Sequence, residues 1–330
     1  MRGQRINLTN NKNNELINMN CLARQIILLL CLLPAALASA ATVSYEEKAR
    51  HVFSNENELA YVLKVEAALA RSQAKYGVIP QWAADDITNK STLEFLPIAD
   101  FLAEKNRVRH RMVALLNVWN RSLKAAGQYV HFGATTVDIY DTVLTLQLIE
   151  TIDLNLTALR ALEASLMAMA MEHKNTVMIG RTLGQQALPI TFGKKVSTWV
   201  AETRRNIERF KGIRNKLKKM SILKGAVGSY VGLGSSAIEV EKQFAKELGL
   251  SEPYIDDWHS ARDVYAEYAL AQALVAQSLS RLGQEVYLLQ MNEVNELTER
   301  RPNKAVGSST MPHKVNPSDS DALIYYGRTI

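Results

Sequence analysis

Three separated stretches carry residue types suited to chemistry. The first is Gly307-Ser308-Ser309-Thr310-Met311-Pro312-His313-Lys314-Val315-Asn316-Pro317, which gathers hydroxyls, one lysine ammonium and one amide in a short run. Gly307 permits unusual backbone angles and Pro312 and Pro317 break regular structure, so this is a loop. In a helix-rich chain such a loop is often reserved for contact with a ligand; an ordinary interhelical connection is the alternative. The second stretch is 128–142, where Gly133-Ala134-Thr135-Thr136 precedes Asp138 and an apolar run. That pattern opens a helix with hydroxyls and N–H groups pointing outward, a place for a carboxylate or phosphate. Simple N-capping by Thr135 or Thr136 is the plainer reading. The third is 173–191, broken by Gly180, Gly184 and Pro189 and dense in Arg181, Thr182, Gln185 and Gln186. Arg181 can clamp a carboxylate bidentately, or it can make a structural ion pair in an interhelical connection.

Long helices must position these stretches. Ser54 is a good N-cap, and Leu59, Val62, Leu63, Leu69 and Ala70 mark a helical face to about Lys75, ended by Gly77 and Pro80. Glu66 lies on that face, where a charge needs a partner. Residues 81–127 read as shorter helices with a break at Pro97, and no strand alternation is evident. Leu144, Leu148, Ile152, Leu156, Leu159, Leu162, Leu166 and Met169 predict a long bundle helix after the second stretch. Another runs from Ile190 to about Lys219, with Val196, Trp199, Ile207 and Phe210 on one face. Its basic face (Arg204, Arg205, Arg209, Lys211) reads as solvated, with a subunit contact as the alternative. Gly225 to Ser236 is a glycine-rich loop without a phosphate-loop lysine or a preceding strand, so it is no nucleotide motif. Helices are expected over Ala237–Leu248 and after Trp258-His259-Ser260-Ala261-Arg262-Asp263. The second of these is read as the longest in the chain, carrying directly into the 307–317 loop.

The chain has 330 residues, 47% of them hydrophobic and 22% charged, which fits a folded globular protein. The formal charge is +6, half of it in residues 1–40. What remains fits an anionic small substrate and is too weak to argue for nucleic acid. Lys12 and Arg24, the apolar run Ile26–Leu33 and Ala38-Ser39-Ala40 read as a secretory signal with cleavage before Ala41. An uncleaved anchor or a misplaced start is the alternative. Export, to a periplasm, and no membrane contact after signal removal are then expected. Both cysteines, Cys21 and Cys31, fall in this segment, so a mature chain uses no thiol chemistry, disulfide or cysteine metal site.

The three stretches, each at the ends of long amphipathic helices and running along the chain as 128–142, 173–191 and 307–317, resemble the fumarase/aspartase superfamily. Gly307-Ser308-Ser309-x-Met311-Pro312-x-Lys314-x-Asn316 looks like its signature GSSxMPxKxN. Gly133 to Asp138 is similar to its first region and Gly180-Arg181-Thr182-Leu183-Gly184-Gln185 to its second. The resemblance covers roughly 45–330 and is greatest to the adenylosuccinate lyase and carboxymuconate cycloisomerase branch. It implies an all-α fold: a 41–140 N-terminal helical domain, then a central helical bundle over 141–330 that is incomplete, the C-terminal domain being absent. It also implies a homotetramer whose active sites each take one region from each of three subunits, and no cofactor.

The implied reaction removes a proton next to a carboxylate and expels a leaving group from the neighbouring carbon of a small polycarboxylate, with fumarate as the usual product. Ser308 would be the base, activated by local N–H groups. Lys314 and Asn316 would stabilise the aci-carboxylate, an effect worth several kcal/mol. His131, Thr135, Thr136, Arg181, Thr182, Gln185, Arg262, Ser309 and Met311 would bind substrate. One departure matters most. Leu183 stands where most of these lyases have a histidine that acts as general acid or in activating water, and leucine cannot transfer a proton. Cycloisomerases also lack that histidine, so the departure favours their chemistry or a changed leaving group. A non-catalytic homologue is the remaining alternative. Thr136 replaces a serine, Val137 a polar residue, and Asp321 a glutamate.

Overall fold

The structure, a computed structural model, describes residues 44–299, 307–311 and 313–330. The expected signal segment and Pro312 lie outside the described residues. Helices dominate: α1 Tyr45–Val52, α2 Asn55–Lys75, α3 Gln81–Asn89, α4 Ile98–Val108, α5 Arg111–Leu123, α6 Thr136–Glu172, α7 Phe192–Leu217, α8 Ala237–Glu247, α9 Asp263–Leu289 and α10 Ser318–Thr329. Strands β1 Val177–Thr182 and β2 Gln185–Thr191 form a two-stranded antiparallel hairpin. The all-α expectation therefore holds with one small exception. The chain divides into two compact units, one of Arg50–Ile152 with Gly212–Ala266, the other of 44–49 with Asp153–Lys211 and Glu267–Ile330. These interleave in sequence, whereas one boundary near residue 140 was expected.

In the first unit, Ser54 caps α2 by accepting the Asn57 N–H at 3.2 Å. Leu63, Leu69, Ile87, Leu96, Met112, Trp119 and Phe244 are fully buried in one core. Each such side chain contributes roughly 1.5–3 kcal/mol through burial. The Trp119 indole N–H donates to the Lys90 carbonyl at 2.9 Å, so its polar atom is satisfied inside the core.

In the second unit, Leu159, Leu162, Leu166 and Met169 of α6 are buried, as are Val196, Trp199 and Phe210 of α7 and Leu279, Leu282 and Val286 of α9. On α7, Arg204 of the basic face pairs with Glu163, and Lys195 pairs with Glu285. α10 meets α9 at small residues. A Cβ on Gly283 would lie 2.7 Å from that of Leu323, and one on Gly327 would lie 2.3 Å from that of Ser280.

Residues 45–52, to which the sequence assigned no element, form a helix. Three expectations change. The longest helix among the described residues is α6, not α9. α9 stops at Leu289, where a non-helical segment begins, instead of running into the loop. The connection at 177–191 is a hairpin, not an irregular link. Its turn consists of Leu183 (φ 51°) and Gly184 (φ 78°), and positive φ at both positions is what a two-residue type I′ turn requires. A bulge opposite Gly180 breaks the alternation that would have advertised the strands.

Candidate functional site

The stretch before α6 is built around Asp138, a fully buried carboxylate. It reaches back to accept the Thr135 N–H at 2.9 Å, closing the helix start in the manner of a capping box. It also accepts the N–H groups of Lys224 at 2.9 Å and Gly225 at 3.0 Å. Burial pushes the Asp138 carboxyl up, and these three N–H donors and His131 only partly offset it. Thr135 and Thr136 are half-buried, and among the described residues neither hydroxyl is spent on a cap. Gly133 (φ 69°) lies so close to the glycine-rich loop that a Cβ there would meet the Gly232 carbonyl oxygen at 2.1 Å.

His131 sits just before this turn with φ 58°. Its Nδ1 lies 2.7 Å from Glu66 Oε1, and its backbone N–H donates to Glu66 Oε2 at 3.1 Å. Glu66 is the charge on the apolar face of α2, and His131 is its partner. Burial would lower the histidine pKa, but the charge and hydrogen bond of Glu66, with Asp138 beyond, outweigh it and the net effect is upward. Arg262 pairs with Asp141 at 3.0 Å, and Asp141 also accepts the Ser260 N–H at 3.2 Å. About half of the Arg262 side chain stays exposed.

The glycine-rich loop has its own anchor, which the sequence did not reveal. Lys224 is buried; its ammonium donates to the Tyr230 hydroxyl at 2.5 Å and lies 2.9 Å from Glu241. The Tyr230 hydroxyl donates to Glu241 at 2.6 Å. Burial works against the Lys224 charge, but Tyr230 and Glu241 outweigh it and hold its pKa above the usual lysine range. A lysine beside Gly225 was the only sequence signal.

The hairpin carries Arg181, Thr182 and Gln185. Arg181 makes a bidentate pair with Glu296, both contacts at 2.8 Å, which raises its pKa. Of its two readings, the structural ion pair is the one present. Thr182 and Gln185 flank the turn as a cross-strand pair and are exposed. Leu183 at the tip is fully exposed. A cleft of about 360 Å³ lies beside the hairpin, lined by Arg181, Thr182, Lys194 and Lys195 among others.

In the loop before α10, Ser308 Oγ accepts the Met311 N–H at 3.2 Å and, less closely, that of Thr310 at 3.4 Å. Asn316 is not free to meet a ligand with its whole amide: its Nδ2 donates to the Gly307 carbonyl at 2.9 Å and closes the loop. Ser309, Met311 and Lys314 are exposed. His131, Thr135, Thr136 and Arg262 thus belong to one unit, and Arg181, Thr182, Gln185 and the 307–316 residues to the other. Among the described residues no hydrogen bond or ion pair joins the hairpin to the loop.

These features define a helical scaffold carrying three ligand-suited stretches, one of them an N–H-lined serine loop. The sequence matches the lyase family over residues 41–330, and this chain belongs to that family within the fumarase/aspartase superfamily. It is 38% identical over 283 residues to the adenylosuccinate lyase of Methanocaldococcus jannaschii, covering 85% of this chain and 61% of that one. It is 37% identical over 274 residues to the N-acetyl-S-(2-succino)cysteine lyase of Dickeya dadantii, covering 83% and 60%. Its structure resembles that of the 3-carboxy-cis,cis-muconate lactonizing enzyme from Pseudomonas putida with TM-score 0.75 and 34% identity, covering 84% and 62%. The chain spans about three fifths of the length of the curated relatives it matches.

Proposed function

We propose that this chain catalyses β-elimination from a succinyl adduct, releasing fumarate, with Ser308 as the base. The observation that carries the reading is the pair of backbone N–H groups aimed at Ser308 Oγ. Donors fixed on that oxygen stabilise it as it gives up its proton and prepare it to take one from carbon. Abstraction of the proton next to a carboxylate leaves an aci-carboxylate, and the exposed Lys314 ammonium is the mobile charge suited to it. Asn316 serves first to brace the loop. Thr135 and Thr136 of one copy and Thr182 and Gln185 of another hold the substrate carboxylates in a self-assembled oligomer. Arg181 and Arg262 act at one remove, because Glu296 and Asp141 already occupy them.

Two relatives, an adenylosuccinate lyase and an N-acetyl-S-(2-succino)cysteine lyase, suggest the substrate class, an adduct of succinate on nitrogen or on sulfur. Cycloisomerisation of a carboxymuconate is the second reading. Leu183 favours it, since a ring closure by carboxylate needs no donor for a leaving group. The test incubates the protein with adenylosuccinate, N-acetyl-S-(2-succino)cysteine and 3-carboxy-cis,cis-muconate and follows absorbance. Fumarate release that Ser308→Ala abolishes is the expected result. Lactone formation alone selects the second reading, and no turnover from a folded assembly makes the chain a non-catalytic homologue.

A further inference from the structure

Elimination from a succinyl adduct needs a proton for the departing nitrogen or sulfur. In the hairpin, Thr182, Leu183 and Gln185 have no acidic proton to give at neutral pH, and Arg181 holds its own too tightly. His131 differs from every other candidate residue. Its ring is fixed by a carboxylate on Nδ1, its backbone is fixed by the same carboxylate, and no described residue bonds Nε2. It sits within a few residues of the threonines proposed to hold substrate, with a small part of its ring still open to solvent. His259 is exposed and 3.9 Å from Asp141, beyond hydrogen-bond distance, and His313 is exposed in the loop.

We infer that His131 is the general acid of the reaction, oriented by Glu66, and that it donates its Nε2 proton to the leaving heteroatom. The inference rests on the elimination reading. The bond between carbon and the heteroatom breaks, its electron pair goes to the heteroatom, and the Nε2 proton joins that atom. The imidazole is left neutral, with Nδ1–H still on Glu66. Ser308 holds the proton taken from carbon. Both groups re-equilibrate with water, and no oxidant or co-reactant is needed. The charged groups around the ring agree with this role. Glu66 faces it from α2 and Asp138 from α6, both negative, and they favour the imidazolium that must donate. Lys224 contributes its backbone N–H to Asp138, while its ammonium is neutralised by Glu241. Arg111 and Glu58 pair with each other, and the Arg111 guanidinium lies over the Tyr140 ring.

The test compares the full chain with His131→Gln and Glu66→Gln on an amine adduct, adenylosuccinate, and a thioether adduct, N-acetyl-S-(2-succino)cysteine. A thiol, with a pKa near 8.5, leaves as an anion far more readily than an amine. His131→Gln should therefore lower kcat on the amine adduct by about 10²-fold or more, the usual worth of a general acid, with KM little changed and a much smaller loss on the thioether. Glu66→Gln should retain activity at low pH and move the alkaline limb of kcat to lower pH. Equal losses on both adducts, an effect confined to KM, or an alkaline limb unmoved by Glu66→Gln overturns the inference. Melting curves identify a variant that has merely unfolded, and the Glu66→Gln profile then decides alone. Absence of turnover by the unaltered chain defeats the elimination reading itself, and activity surviving Ser308→Ala defeats its assignment of the base. Wrong behaviour of the His131 and Glu66 variants in an active enzyme defeats only the acid assignment.

Discussion

Asp138 ties the candidate substrate threonines to the glycine-rich loop, so its replacement tests the framework of the site. Asp138→Ala strands the buried N–H groups of Lys224 and Gly225 and the half-buried N–H of Thr135, all now within 3.0 Å of the carboxylate. Each stranded donor costs roughly 1–3 kcal/mol. Removing the carboxylate also relieves its own desolvation, which is what pushes its pKa up. The net loss should be about 3–5 kcal/mol, the range for breaking one side of a buried charged network. At about 2–4 °C per kcal/mol for a unit of this size, melting should fall by ~6–20 °C. Asp138→Asn separates acceptor geometry from bulk. One amide oxygen in the Oδ2 position keeps Thr135 and Gly225 and strands only Lys224, so the loss should be about 1–3 kcal/mol. The measurements are thermal melts and urea titrations of the three proteins. An alanine variant within about 1 kcal/mol of the parent, or an asparagine variant as unstable as the alanine, would falsify the view that this carboxylate works by collecting backbone donors.

Leu183 holds a left-handed conformation with its side chain fully exposed, so Leu183→Asn should raise stability by about 1 kcal/mol, seen as a higher melting temperature, whereas Leu183→Val should lower it. His131 has its folded pKa above the ordinary value near 6.5; its contribution to stability is complete below that pH and is lost as pH rises through the folded value. Urea titrations across neutrality should therefore show stability falling toward alkaline pH in the parent, and His131→Asn should remove that component. Glu296→Ala releases Arg181 from its bidentate pair; at about 1 kcal/mol, trypsin cleavage after Arg181 should quicken about fivefold, and unchanged cleavage would mean the pair does not hold the hairpin.

The helices with a continuous apolar stripe were legible because a 3.6-residue period survives in one segment, as in α2 and α6. The hairpin was not, because Gly180 and Pro189 interrupt its alternation, and Val177 and Leu188, which would have marked an inner face, are exposed. α1 was missed because much of it is charged. At the site, the sequence supplies residue types and leaves out the partners that decide what those types can do. Glu66 shows how far the reasoning reaches: a carboxylate on an apolar face demands a partner, yet only the fold makes that partner His131, 65 positions away. The same holds for Arg181. Its spacing allows either a ligand clamp or a structural pair, and the pair seen in the structure is with Glu296, outside every candidate stretch. Nothing in the sequence around Lys224 points to the Tyr230 and Glu241 that enclose it. In each case a distant carboxylate sets the protonation and direction of a residue already visible in the sequence. A departure such as Leu183 therefore has to be judged against the whole set of proton donors that the fold holds in place, and among the described histidines His131 is the one hydrogen-bonded to a carboxylate.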